Sequence, residues 1–308
     1  MRWGKIVEQG PVDDIFYGAQ HPYTKSLLAA TVRLDTAVKR IAPNREGQPL
    51  LQARGLTKGF GATNWRGKKT YEIKAVDDVS LDLWPGENLG IVGESGSGKT
   101  TLGRMLLRIV EPSEGSILWH GHRSAVRLVF QDPFASLNPR MTVKQVIADP
   151  LIVGDDMSDA ALNARVAELL ELVGLDESAM ERYPHAFSGG QRQRISIARA
   201  LASNPRVIIA DEATSALDVS IRAQVLDLLL DLQKRLDLSF IFIAHDISVV
   251  RYFCDRVAVM HQGRVVETGP AEQICTAPAE LYTQSLISAV PNPDPRNRRM
   301  LHRTRFNA

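Results

Sequence analysis

The sequence predicts an α/β fold: a parallel-sheet core, an antiparallel β-subdomain and an inserted α-helical subdomain. Three observations carry this. Four short apolar runs, at 89–92, 126–130, 207–210 and 240–244, are separated by helical stretches, and continuous apolar runs mark strands buried on both faces. Before them, LLQARGLTKGF and YEIKAVDDVSLDLWPGE hold short β-rich runs with turn signals, which suits antiparallel strands. Between the second and third runs lies a long insertion, about 135–187, with a helical pattern at 158–175. There Ser158 is a fair N-cap, and Leu162, Val166, Leu169, Leu170 and Val173 recur on one face.

The chain opens with an echo of its own end. MRWGKIVEQGP matches MHQGRVVETGP at a constant offset of 259, and over residues 1–31 twelve positions are identical. A period this long is the length of a domain, not of a solenoid repeat. Residues 33–49 are polar, with Pro43 and Pro49, and read as a linker. GATNWRGKKT is a Gly- and Lys-rich loop between the two β-rich runs, and 257–267 read as a hairpin turning at Gln262-Gly263.

The 308 residues are 44% apolar and 23% charged, as in a water-soluble globular protein with ample core. A net charge of +2 gives no global pull toward nucleic acid. The final stretch is locally basic, with Arg296, Arg298, Arg299, Arg303 and Arg305, and is expected to be a solvated, disordered tail; the alternative is an anionic-lipid contact. No run of about 18 apolar residues spans a bilayer. The two cysteines, Cys254 and Cys275, lack metal spacing and read as small buried residues.

The strand at 89–92 runs into Gly93-Glu94-Ser95-Gly96-Ser97-Gly98-Lys99-Thr100-Thr101, followed by an amphipathic helix, TLGRMLLRIV. Glycines let successive backbone N–H groups turn inward around phosphate oxygens. The helix points its positive N-terminus at the anion. Lys99 is placed to reach terminal phosphates, and the Thr100 hydroxyl to ligate Mg²⁺. RVIIADEATSALD ends a buried strand with Asp211-Glu212, at the carboxyl edge where open α/β sheets bind ligands. Asp211 would hold the metal, and Glu212 would orient and polarise the attacking water.

Further motifs narrow the class. FSGGQRQR (187–194) is a Gly-Gly turn opening a helix, and Ser188 with the amides of Gly189 and Gly190 forms a second anion site, with Gln191 beside it. It lies 89 residues beyond Lys99, across the helical insertion, so two domains facing head to tail with nucleotide between them are expected. Gln131 follows a buried strand, Asp218 lies seven residues after Asp211, and His245 ends another strand. Singly, these read as a turn residue, a helix N-cap and a backbone-bonded histidine. Their order and strand-end placement together favour the functional reading.

With these motifs the sequence resembles the nucleotide-binding domain of ABC transporters, a P-loop NTPase with a RecA-like core. The Walker A loop is GESGSGKT, the Q-loop Gln131, the signature FSGGQ with Phe187 in place of the commoner Leu. Walker B is VIIADE, the D-loop SALD with Asp218, and the H-loop His245. FQDPFASLNPRMTV, YPHAFSGGQRQRISIARAL and HPYTKSLLAA resemble the oligopeptide/dipeptide/nickel importer ATPases. Ala186 departs from the usual Glu or Gln, and Glu280-Leu281 from His-Pro. The resemblance implies ATP and Mg²⁺ as cofactors, ATPase activity with Glu212, His245, Lys99 and Gln131 in catalysis, and Thr100, Gln131 and Asp211 at the metal. It also implies an aromatic residue stacking on adenine, with Tyr71 the candidate and Phe60 and Trp65 rivals. The implied partners are two membrane permease subunits, a second ABC ATPase domain (fused upstream, a separate subunit or a second copy), and indirectly a solute-binding protein. The implied location is peripheral, on the cytoplasmic face of the inner membrane.

The expected layout is therefore 1–32 as the tail of an upstream ABC ATPase domain, 33–49 as linker, 50–290 as an ABC ATPase domain and 291–308 as the basic tail. Residues 1–45 are expected to contribute little to the fold of the domain that follows. The rival functions are a soluble ABC ATPase of DNA repair or translation, and a nucleotide-binding regulatory module without turnover. The sequence lacks the long coiled coils and zinc cysteines of the first, and intact Glu212 and His245 speak against the second.

Overall fold

The computed structural model describes residues 4–31, 45–63, 69–120, 126–130, 132, 136–152, 157–290 and 295–296, and the backbone alone where these fall within 62–72. Gln131, Trp65, the Tyr71 side chain, most of the linker and most of the basic tail lie outside the described residues.

The chain begins with α1 (Val12–Tyr17) and α2 (Pro22–Ala29). Then come β1 (Leu51–Thr63), β2 (Lys69–Leu83), β3 (Asn88–Val92), α3 (Lys99–Leu106), β4 (Glu114–Trp119) and β5 (Val126–Val129). The insertion holds α4 (Val143–Ile152), α5 (Asp159–Leu172) and short 3-10 turns at Glu177–Ala179 and Pro184–Ala186. After it run α6 (Gly189–Leu201), β6 (Val207–Asp211), α7 (Val219–Leu236), β7 (Ser239–Ala244) and α8 (Ile247–Phe253). The last elements are β8 (Arg256–His261), β9 (Arg264–Pro270), α9 (Ala271–Thr276) and α10 (Leu281–Ser288).

Two sheets organise these elements. The larger has the order β5-β6-β7-β3-β8-β9, parallel throughout except for the antiparallel β8–β9 hairpin. The smaller is antiparallel, in the order β2-β1-β4. The expected parallel core and antiparallel β-subdomain are both present.

The larger sheet separates two cores, which explains why its strands read as unbroken apolar runs. On β7, Phe240, Phe242 and Ala244 enter the core under the helices, where Phe240 and Phe242 pack around Phe253. Its alternate residues Ile241 and Ile243 enter the other core with Leu51, Val76, Leu83 and Met105, between the two sheets and around α3. Strand periodicity sends successive side chains to opposite faces, so a strand with a core on each side has no polar positions.

The helical insertion holds as expected. Ser158 caps α5 by accepting from Ala161 N–H, and Val166, Leu169 and Leu170 are buried. Three details differ from the sequence reading. β4 was not foreseen, because in EGSILW only Ile117 is buried and no alternation shows. The helix after the glycine-rich loop stops at Leu106, and Arg108 has φ 54; its guanidinium turns back to the carbonyl of Ile117. The last hairpin turns at Gln262-Gly263 as expected, at φ 47 and 84, yet it runs longer and carries a register shift between Val259 and Met260.

The echo is structural as well. Residues 12–17 and 22–29 are helical, and so are 271–276 and 281–288, the same spans displaced by 259. Gly4 has φ 75 where Gly263 has 84. The Glu8 carboxylate accepts from Gln20 and His21 N–H at 2.7 and 3.3 Å, and Glu267 accepts from Ala279 and Glu280 N–H at 2.8 and 3.3 Å. Burial separates the copies. α9 buries Ala271, Ile274 and Cys275, whereas α1 buries none of its residues. Both cysteines are buried, as expected, and burial pushes the Cys275 thiol up to about 12.

Candidate functional site

Strands β5, β6, β7 and β3 are neighbours in that order, and the last three each end in one of the singled-out loops. The glycine-rich loop leaves β3, His245 leaves β7 and Asp211-Glu212 leaves β6. The carboxyl ends of parallel strands therefore bring together residues that lie up to 152 positions apart in sequence.

The glycine-rich loop is shaped for close backbone approach. At Gly98, φ is 101, and a Cβ there would meet the carbonyl oxygen of Ala75 at 2.0 Å; no other residue fits. Lys99 is buried and folded over the loop, donating to Gly93 O at 2.9 Å and Glu94 O at 2.7 Å, with Ser97 Oγ at 3.4 Å. Burial pulls its ammonium down from the ordinary lysine range, opposed by the charges of Glu212, Asp211 and Glu94. Ser97 is buried, while Ser95 and Gly96 are exposed and Thr101 is half-buried.

Thr100 donates to Asp211 Oδ1 at 3.3 Å. Burial raises the Asp211 carboxyl above its ordinary range, with Thr100, Arg104 and Lys99 acting the other way and Glu212 adding to the rise. A hydroxyl beside a desolvated carboxylate is a hard-oxygen pair that suits Mg²⁺. Glu212 sits in the left-handed region at φ 48 and is held by its N–H on Ile243 O at 2.9 Å. A non-glycine residue held in this region by its surroundings is a feature of functional loops. Its Oε2 lies 3.7 Å from His245 Nδ1, and the imidazole is half-exposed.

Around Ser188 the structure adds a capping box to the expected anion site. Ser188 Oγ accepts from Gln191 N–H at 3.4 Å, and Gln191 Oε1 accepts from Ser188 N–H at 3.0 Å. Gly190 is needed for packing: a Cβ there would meet Ile221 Cγ2 at 2.4 Å, which seats the start of α6 on α7. Ser188 and Gln191 remain exposed. Asp218 occupies the N-cap position of α7 but makes no side-chain cap bond, and it too is exposed. Phe60 is exposed beneath Lys58, whose Nζ lies 5.9 Å from the ring centroid.

Sequence reasoning missed Arg222. From the first turn of α7 its guanidinium donates to the carbonyls of Thr214, Ser215 and Leu217 at 3.2 to 3.5 Å and to Asp246 Oδ2 at 3.4 Å. It ties the SALD turn to the residue after His245. Its position one helical turn after Asp218 was the one available signal. Tyr282, which reaches the glycine-rich loop from α10, was likewise unread.

The sheet order and the lysine-bearing loop at the end of β3 define a P-loop nucleotide-binding fold. Residues 76–215 match the ABC transporter family, and residues 7–59 and 266–307 both match the oligopeptide/dipeptide transporter C-terminal region. Among solved structures, the dimeric ATP-binding cassette MJ0796, described as bound to ADP and Pi in a post-hydrolysis state, superposes with a TM-score of 0.64. It is 30% identical, over 72% of this chain and 98% of that one. CbiO1 of Clostridium perfringens, part of an ABC transporter complex, gives 0.63 at 28% identity, over 74% and 91%. The chain belongs to the ABC transporter ATP-binding cassettes. It is 47% identical over 336 residues to the glutathione import ATP-binding protein GsiA of Salmonella typhimurium (strain LT2), and 45% identical over 335 residues to that of Escherichia coli (strain K12). Each alignment takes in 97% of this chain and 54% of the relative, so the chain spans about half the length of the curated relatives it matches.

Proposed function

We propose that the chain binds ATP with Mg²⁺ and hydrolyses it to energise import of peptides or similar small solutes, such as glutathione, through two separate permease subunits. The observation that carries this reading is the single row of loops at the ends of β6, β7 and β3, with Lys99, Asp211, Glu212 and His245 facing one edge of the sheet. Lys99 and the amides of 93–101 take the phosphates. Thr100 and Asp211 supply oxygen ligands for Mg²⁺, which would neutralise charge developing on the transferred phosphoryl group. Glu212 orients the attacking water, and His245, 3.7 Å away, fixes that carboxylate. Gln131 joins the metal and water from the end of β5, and Tyr71 stacks on adenine. Ser188, Gly189, Gly190, Gln191 and Asp218 act on the nucleotide of a facing cassette.

The layout in this reading is a tandem. Residues 1–32 are the closing element of a first cassette, 33–49 the linker and 50–290 the second cassette with its helical subdomain at about 135–187. The matched helix spans and the matched Glu8 and Glu267 turns support it. Among the described residues no helix is long and apolar enough to cross a membrane. In this reading the chain sits peripherally on the cytoplasmic face, docked on permeases and served indirectly by a solute-binding protein. The test is ATP turnover by Glu212→Gln. The expected result is a loss of about 10²-fold or more in turnover with ATP binding kept; parent-rate hydrolysis would overturn the assigned role.

A further inference from the structure

Tyr282 lies on α10, far outside the glycine-rich loop in sequence, and its hydroxyl oxygen accepts from Glu94 N–H at 3.2 Å. Its ring is 5% exposed and packs on His261 with centroids 4.0 Å apart. The Glu94 amide and the Gly93 carbonyl belong to one peptide group. That group is planar and trans, so its N–H and C=O point in opposite directions. Tyr282 holds the N–H side, and Lys99 Nζ donates to the C=O side at 2.9 Å. A side chain of the closing element and the lysine of the loop thus grip opposite edges of one peptide plane. The plane's orientation is set partly by ψ of Gly93, which glycine leaves freer than any other residue would, so its partners help to fix it. Burial pushes the Tyr282 phenol above its ordinary range, and the hydroxyl stays protonated at working pH.

We propose that Tyr282 is a positioning residue for the nucleotide site: it clamps the 93–94 peptide and so holds Lys99 over the loop in the geometry that receives phosphate. This rests on the ATP-binding reading of the loop. The duplicated element carries Tyr23 at the matching place, and in the tandem reading Tyr23 clamps the loop of the first cassette.

The test is calorimetric titration of Mg²⁺-ATP into the full chain, with amide exchange of segment 93–99. Tyr282→Phe keeps the ring and removes the acceptor. ATP affinity is expected to fall about 3–10-fold, the range for one partly buried hydrogen bond, while exchange in 93–99 accelerates and the melting temperature holds. If Tyr282 acts through Lys99, the same substitution in a Lys99→Gln background costs less than about two-fold, because coupled residues are not additive. Parent affinity in Tyr282→Phe, or an equal loss in both backgrounds, overturns the clamp. Should Tyr282→Phe lower the melting temperature, faster exchange confined to 93–99 supports the clamp and a uniform rise including β7 overturns it. A parent chain that binds no ATP overturns the nucleotide reading itself, which is distinct from a parent that binds and a variant that binds equally.

Discussion

Asp211 carries a conflict between folding and function. Its carboxyl is raised chiefly by burial, so the folded state binds a proton more readily than the unfolded chain. Stability is then fullest below the ordinary aspartate range and declines as pH rises through the raised folded value. Asp211→Asn keeps an acceptor for Thr100 and removes the buried charge. The nucleotide-free variant is expected to melt about 1–3 °C higher at pH 7, with a flatter acid-to-neutral profile, and to lose Mg²⁺-dependent hydrolysis; a lower melting temperature would sink the argument. Ser188→Arg gives the opposite separation. It removes a capping box worth about 1 kcal/mol from an exposed position, and should cripple hydrolysis while ATP binding stays near the parent value. Equal loss of both would argue against a role on a facing cassette. The residues that sequence reading found are those whose chemistry is local: a lysine after glycines, an acid pair after a strand. Tyr282 and Arg222 were not legible, since each acts by reaching backbone groups of another element, in the Tyr282 case 188 positions away.

Among elements, those buried on both sides were the most legible. β3, β6 and β7 show as apolar runs because two cores claim their alternate residues. β4 and the end of α3 were not, because one buried isoleucine leaves no pattern and the left-handed turn at Arg108 is set by its tertiary bond to Ile117. The closing element was legible twice, and its copies differ in burial. Of α1 and α2 only Thr24 is buried, while Asp13 pairs with the exposed Arg296 at 3.4 Å. Removing residues 1–44 is expected to shift the melting temperature by less than about 2 °C, an ordinary surface effect, and limited proteolysis should cut there first. The Glu8 turn supplies a local probe. The Thr24 hydroxyl and the Gln20 amide hold the Glu8 carboxyl below its ordinary range, so its contribution is present above that range and is lost as pH falls through the lowered value. Protection of the Gln20 and His21 amides, measured against their intrinsic exchange rates at each pH, should therefore fall as pH drops through that lowered value, before any core strand responds. Simultaneous loss would show that this element melts with the domain.

At the scale of the whole molecule, the chain presents one glycine-rich loop and one FSGGQ helix start within the cassette. Lys99 is folded onto its own loop, whereas Ser188 and Gln191 face solvent with their side chains in the capping box. Neither makes the other's contacts, and on the proposed reading a complete site takes in a second cassette, which the tandem layout would supply from the first half of a longer protein. The dimeric arrangement described for MJ0796 fits that requirement. The chain by itself should then hydrolyse ATP weakly at low micromolar concentration. If two copies can substitute for the missing partner, specific activity should rise in proportion to protein concentration below the dimer dissociation constant, because each active site is bimolecular. Phosphate release measured over a hundred-fold range of concentration, beside sedimentation velocity in Mg²⁺-ATP with Glu212→Gln to trap the closed form, reads both quantities. Mixing Ser188→Arg with Lys99→Gln sharpens the test, since each variant lacks a different half-site. A mixed dimer contains one site with both lesions and one with neither, so activity should reappear in the mixture although both parents are dead. A specific activity independent of concentration, or no recovery on mixing despite a dimer in the centrifuge, would mean that the two half-sites do not meet across this interface.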